Sequence, residues 1–308
     1  MIRELLNLVR ELGYDTFRTD YLQKTLDLAR KIQEFLSTND ITFVTALFPV
    51  LVPEWIEWGL ESKGERIPSL PSGFEGGEIE LNLKDSSDLE TNYSLPNVNF
   101  NSKLLSPTDI STPVFYWGPS LSVSREGAER ILKNGEIKGF LKVRRVCRAG
   151  KHFLAGNVEN PKKIFVVHYD ALWKGVIDNG LSVALFLSLL KEGIIKEDVV
   201  LFLGFSEISL WPNYWEYSMI TAKESFDEQI NNAEEVIVVD CIGYKDTNFI
   251  KDKEYIEAYS RIRRDLKVFG TPIERLMEIY HATNDGVEAV SLKQLEEDVR
   301  RVRDMISR

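Results

Sequence analysis

The sequence predicts an α/β sandwich built on a mixed, largely parallel sheet and carrying a smaller β-rich insert. Beyond residue 150, short unbroken apolar runs at 164–167, 199–205 and 236–239 alternate with helical stretches. A strand reads as a continuous apolar run when crossover helices bury both of its faces, and this alternation implies parallel strands. Residues 1–36 carry apolar side chains at helical spacing, first Leu5, Leu6, Val9 and Leu12, then Leu22, Leu26, Ala29, Ile32 and Leu36. Between about 60 and 112 helical periodicity is absent and turn formers crowd in, among them Pro68, Pro71, Gly73, Gly76, Gly77, Pro96, Asn97 and Asn99.

The elements follow in order. Two helices occupy 1–36. The turn-rich stretch closes through strand, helix and strand over 112–146, with Ser124, Glu126 and Glu129 marking the helix start. Residues 180–190 form an apolar helix, 273–280 supply a fourth strand, and 292–306 close the chain with an amphipathic helix. The tail from 296 alternates charge at helical spacing, as a solvated face does. The main domain is therefore placed at 1–45 with 145–308, and the inserted domain at 46–144.

Composition narrows the function. A formal charge of −10 opposes nucleic-acid binding, which rewards clustered Lys and Arg. No apolar run is long enough to span a bilayer, and the charged N-terminus reads as an amphipathic helix, not a signal peptide. Two cysteines cannot build a disulfide framework, so a reducing cytoplasm is expected. Abundant Lys, Glu and Ile with few Gln suit a thermophile. The sequence leaves homo-oligomerisation open.

Ligands in a parallel α/β fold gather beyond the carboxyl ends of the strands. The predicted strands end in, or run straight into, His168-Tyr169-Asp170, Ser206-Glu207, Asp240 and His281 with Asp285 close behind. Asp178-Asn179-Gly180 opens the apolar helix. Taken singly, each has a bland reading: a hydrogen-bonded structural histidine, a turn, a helix cap. Together, two of three histidines and three carboxylates fall where one sheet converges them. Zinc takes such nitrogen and oxygen ligands, and a bridging carboxylate can hold two ions. Asp170, two residues beyond His168, is placed to orient that imidazole.

These residues resemble the zinc aminopeptidase family, which includes bacterial leucine aminopeptidases, glutamate carboxypeptidase, glutaminyl cyclase and the transferrin receptor. FVVHYDA resembles its first ligand motif, GVIDNGLSVALFLSLL its bridging Asp-Asn, LFLGFSEISL its Glu-Glu strand end and VIVVDCIG its next Asp. The stretch from Arg263 to Asp285 resembles its last segment, and TPVFYWGPSLSVSREGAERILKNGEIKGFLKV the close of its protease-associated insert. The resemblance implies a phosphorylase/hydrolase-like three-layer α/β/α sandwich and one or two zinc ions. Asp178 would bridge them, with Glu207 and His281 completing one position and His168 and Asp240 the other. It further implies a peptide or aminoacyl substrate cut by an aminopeptidase-type reaction. One position departs from the pattern. The residue before the ligand Glu, a general-base Glu in active relatives, is Ser206, whose hydroxyl is not basic near neutral pH.

Three readings follow. The first is a zinc exopeptidase in which another carboxylate, Glu216 or Asp265, stands in for the base. The second is a catalytically silent metal-binding member acting as a binding or scaffold protein. In the third, Gly204-Phe205-Ser206 approximates a nucleophile elbow, and Ser206, Asp240 and His281 follow the chain order of a serine-hydrolase triad. Trp211 and Tyr214 directly follow Glu207 and are candidates, with Asp265, for contact with substrate. Trp55, Trp58 and Trp215 suit packing better. His152 reads as a loop residue with no role.

Overall fold

The structure is a computed structural model describing residues 1–89, 95–210 and 216–308. Two helices open it, α1 (Ile2–Leu12) and α2 (Tyr21–Thr38), the first ending at left-handed Gly13 and the second capped by the Asp20 carboxylate on Gln23 N–H. A strand of 20 residues follows, β1 (Phe43–Ser62), then the short strands β2 (Glu65–Arg66), β3 (Ser69–Pro71), β4 (Gly77–Glu78), β5 (Leu83–Asp85), β6 (Asn97–Phe100) and β7 (Ser120–Val123). Helix α3 (Arg125–Asn134) begins where expected, the Ser124 hydroxyl accepting from Gly127 N–H. Strand β8 (Lys138–Gly156) returns antiparallel to β1 along nearly its whole length.

The remaining elements are β9 (Lys163–His168), α4 (Leu181–Lys191), β10 (Val199–Leu203), α5 (Glu216–Ser225), α6 (Asp227–Asn232), β11 (Glu235–Asp240), β12 (Asn248–Phe249), α7 (Lys253–Tyr259), β13 (Lys267–Gly270), α8 (Ile273–Leu276) and α9 (Leu292–Ser307). The main sheet runs β12-β13-β11-β9-β10-β8-β1-β2, with β4 also pairing β8. Strands β13, β11, β9 and β10 are mutually parallel. A second sheet, β3-β7-β6-β5, is formed within residues 69–123. The boundaries read from sequence, 45/46 and 144/145, fall inside β1 and β8, so two continuous strands carry the main sheet into the insert region.

Strand alternation sorts the core into layers. Phe165, Val167, Val200, Phe202, Ile237 and Val239 face α1, α2, α4 and α9. Their neighbours Ile164, Val166, Leu201, Val236 and Val238 face α5 and α6 through Met219, Ala222, Phe226 and Ile230. Burial on both faces is why these runs read as unbroken. Among the described residues no helix is long and apolar enough to cross a membrane.

One predicted strand is wrong. Residues 273–276 are helical, and the fourth parallel strand is β13, whose apolar run is only two residues long. Gly270 ends it at a close approach: a Cβ there would lie 2.0 Å from the Asp240 carbonyl oxygen. Pro272 then starts α8. His152 is likewise no loop residue. It is buried within β8, stacked on Phe48 with centroids 4.2 Å apart, and its Nε2 lies 3.0 Å from the Thr221 hydroxyl.

Candidate metal centre

Three strands, the turn before α4 and the segment after α8 bring His168, Asp178, Glu207, Asp240 and His281 together. His168, the last residue of β9, places Nε2 3.1 Å from Asp240 Oδ1 and 3.2 Å from Asp178 Oδ1. His281 places Nε2 2.7 Å from Glu207 Oε2 and 3.4 Å from Asp178 Oδ2. The two oxygens of Asp178 therefore point to different histidines. Two candidate ligand sets result, His168/Asp178/Asp240 and Asp178/Glu207/His281, each with its donor atoms within 4.8 Å of one another.

The backbone beneath each side chain is held firmly. Asp285 accepts Ile177 N–H and Asp178 N–H on its two carboxylate oxygens, at 2.8 and 3.1 Å. Its carbonyl accepts the N–H groups of Gly175 and Val176. Asn179 spans to β11, donating to Val239 O and accepting Cys241 N–H. His281 itself sits at φ 47, a strained backbone tolerated where surrounding contacts fix it. Its main chain and that of Thr112 are tied, Thr112 N–H donating to His281 O.

Both histidines spend one ring nitrogen on a carbonyl. Nδ1 of His168 faces Asp170 O at 3.1 Å and Nδ1 of His281 faces Thr112 O at 3.0 Å. Each Nε2 is thereby left as a ligand atom, the usual way in which a backbone partner fixes a metal-binding tautomer. Asp178 Oδ2 and His281 Nε2 are buried yet make no hydrogen bond of acceptable geometry. Such orphaned atoms are costly unless something satisfies them. Burial pulls both imidazoles down, but the Glu207 and Asp178 carboxylates, joined by Asp240 at His168, outweigh it and push both above the ordinary histidine range. The cluster favours positive charge between its carboxylates. Three carboxylates, two imidazole nitrogens and unsatisfied buried atoms fit a zinc pair.

Asp170 works differently from the expectation. Its backbone carbonyl lies 3.1 Å from His168 Nδ1, and its carboxylate Oδ1 stands farther off, 3.9 Å from the same nitrogen. The carboxylate, fully buried, accepts Ser206 Oγ–H at 2.9 Å, Tyr21 O–H at 2.7 Å and Glu207 N–H at 2.8 Å. It anchors the turn that presents Glu207. The serine-hydrolase arrangement does not form: Ser206 donates to Asp170, Asp240 accepts from Tyr255 and Tyr259, and His281 faces Thr112 and Glu207. Asp265 is also misplaced by the sequence reading. Its side chain is 72% exposed and ion-paired with Arg263, because the turn before β13 points it outward. Glu216 pairs with Arg261. Trp211 and Tyr214 lie outside the described residues, as do Pro212 and Trp215. Trp55 and Trp58 donate to the carbonyls of Gly73 and Ser69, as packing residues.

Sequence reasoning missed Tyr21, Thr112, Tyr255 and Tyr259, and gave Asp285 no task. Only Asp285 carried a signal, its proximity to His281. A cavity of about 300 Å³ opens over the cluster, walled by Val114, Phe115, Met219, Ile273, Leu276 and Tyr280, with Asp252 at its rim.

Fold and cluster together define the class: an α/β/α architecture shared with zinc aminopeptidases and glutaminyl cyclases. The zinc aminopeptidase BSAP from Bacillus subtilis is 13% identical and superposes with a TM-score of 0.66, covering 98% of this chain and 93% of its own. An aminopeptidase from Aneurinibacillus is 13% identical, with a TM-score of 0.59 over 99% and 93%. A glutaminyl cyclase from an Acidobacteriales bacterium is 11% identical, with a TM-score of 0.53 over 99% and 93%. No family model matches the chain, and no curated protein matches it.

Proposed function

We propose that the chain is a zinc-dependent hydrolase of exopeptidase type that acts at the amino end of a peptide or aminoacyl substrate. The observation that carries this reading is Asp178, which turns one carboxylate oxygen toward each of two histidine–carboxylate groups. His168, Asp178 and Asp240 would hold one ion, Asp178, Glu207 and His281 the other. Zinc bound there supplies Lewis acidity and a water of lowered pKa.

The cavity supports the choice of substrate end. No Lys or Arg is among its described lining residues, and the segments 90–94 and 211–215 contain none either. A substrate carboxylate finds no Lys or Arg among the described lining residues, whereas an ammonium group meets acidic side chains such as Asp252. The apolar wall suits an apolar first residue, at a scale of about 1–3 kcal/mol per methylene gained or lost.

Ser206 lines the cavity, and its proton is directed to Asp170, so its lone pairs are free to accept an N–H. It cannot take a proton from water as a carboxylate does. Slow turnover is therefore part of the proposal, and a silent metal-binding member is the second reading that Ser206 supports. Zinc content of reconstituted wild type and His168→Ala, read beside turnover on aminoacyl and N-acylated substrates, decides between them. Zinc lost in His168→Ala with turnover of free-amine substrates supports the first reading; zinc without turnover supports the second. Failure to bind zinc sinks both.

A further inference from the structure

Asp240 differs from the other two carboxylates of the cluster in what holds it. Its Oδ2 accepts the hydroxyls of Tyr255 and Tyr259, each at 2.7 Å. The tyrosines are four residues apart on α7, hence on one face of the helix. A carboxylate oxygen has two lone-pair directions, and two phenols occupy both. Oδ1 alone is left for the cluster, 3.1 Å from His168 Nε2 with the buried Cys241 thiol 3.3 Å away. Glu207 is held in the opposite manner: each of its side-chain oxygens faces a histidine nitrogen, at 3.3 and 2.7 Å.

We infer that Tyr255 and Tyr259 are positioning residues that confine Asp240 to one-oxygen ligation and set metal affinity at the His168–Asp178–Asp240 position alone. The inference rests on the metal-centre reading above. Both phenols reach the cluster through Asp240, and among the described residues neither hydrogen-bonds to Glu207 or His281. Helix α7 is thus a strut behind one ion and not the other. The same two tyrosines line the cavity, so the strut is also part of its wall.

The test is a competitive zinc titration of metal-free protein, using a chelator as competitor. The proteins are wild type, Tyr255→Phe, Tyr259→Phe and the double variant, with His168→Ala and His281→Ala to assign each equivalent. Phenylalanine keeps the packing of the rings, and circular dichroism with a thermal melt confirms the fold. Wild type is expected to take two equivalents. The double variant should bind one of them about 10- to 100-fold more weakly, the loss typical of removing an outer partner of a ligand. That equivalent should be the one His168→Ala abolishes, and the single variants should lie between. A Co²⁺-substituted double variant should also show a changed visible spectrum, as Asp240 gains freedom to ligate through both oxygens. Two equivalents bound as in wild type, or both weakened equally, would overturn the inference and leave the metal centre standing. No zinc uptake by wild type would remove both.

Discussion

Asp178 and Ser206 set opposite terms for this site. Asp178 has the geometry of a bridge, whereas Ser206 replaces a base with a hydroxyl whose proton is already committed to Asp170. Turnover should therefore rise about 100- to 10,000-fold in Ser206→Glu, the range a general base contributes, with little change in bound zinc. An unchanged or lower rate at full zinc occupancy would show that the missing base is not what limits the reaction. Asp285→Ala removes the acceptors of two N–H groups beneath Asp178. Zinc affinity should fall about 10-fold or more, measured by the same chelator competition. His168, Glu207 and Asp240 were legible in sequence because buried apolar runs end where a parallel sheet collects its ligands; Asp178 stood at the turn before the apolar helix, and His281 was reached through a strand that proved helical. Their supports were not. Tyr21 reaches Asp170 across 149 positions and Ser111 reaches Tyr280 across 169, distances over which no local pattern speaks. Asp265 looked like a site residue only by its place before a Gly-Thr-Pro turn; Arg263, two residues away, takes it to the surface.

At the level of elements, periodicity found the two opening helices, three of the four parallel strands and the closing helix. It failed where an element is too short to show a period, as in β13, and where the residues mimic another state. Strand β1 contains Pro49 and Pro53, which argue against a strand, yet it pairs with β8 in register past both. At Gly270, β13 approaches the Asp240 carbonyl of β11 too closely to leave room for a Cβ. Gly270→Ala should destabilise the fold by about 1–3 kcal/mol or more, read as a lowered denaturation midpoint, since the backbone ahead of it cannot yield as a side chain would. An unchanged midpoint would mean that the strands can separate slightly without loss. His152 gives β8 a pH signature. Burial lowers its pKa from 6.5 to about 3, so the folded protein keeps it neutral while the unfolded chain protonates near 6.5. Its burial carries no electrostatic penalty above pH 6.5, and the penalty grows as pH falls from there toward 3. His152→Phe should flatten that part of the stability profile relative to wild type; parallel profiles would show the ring to be protonated without cost.

For the whole molecule, the cluster joins β9, β10, β11, the turn before α4 and the segment after α8. An ion held by all of them binds the folded chain and not the unfolded one. Chelation should therefore lower the melting temperature, by the equivalent of about 2.7 kcal/mol when zinc had been present at 100 times its dissociation constant. A melt unmoved by chelator and by added zinc would count against the metal centre. The stretch between β1 and β8 was legible only as a region without helical period. Its organisation depends on β1 and β8 pairing across nearly a hundred residues, and on the Thr112–His281 tie that closes it over the cluster.

That tie has a consequence for biosynthesis. The candidate ligands are spread from His168 to His281, and the last of them is fixed by a carbonyl laid down far earlier, at Thr112. A nascent chain still short of His281 lacks the histidine of one ligand set, and holds the other without Asp285 to brace Asp178. On the proposed reading, the polypeptide emerging from the ribosome stays metal-free until most of it has been made, and it acquires its reactive centre only after the sheet that supports it has closed.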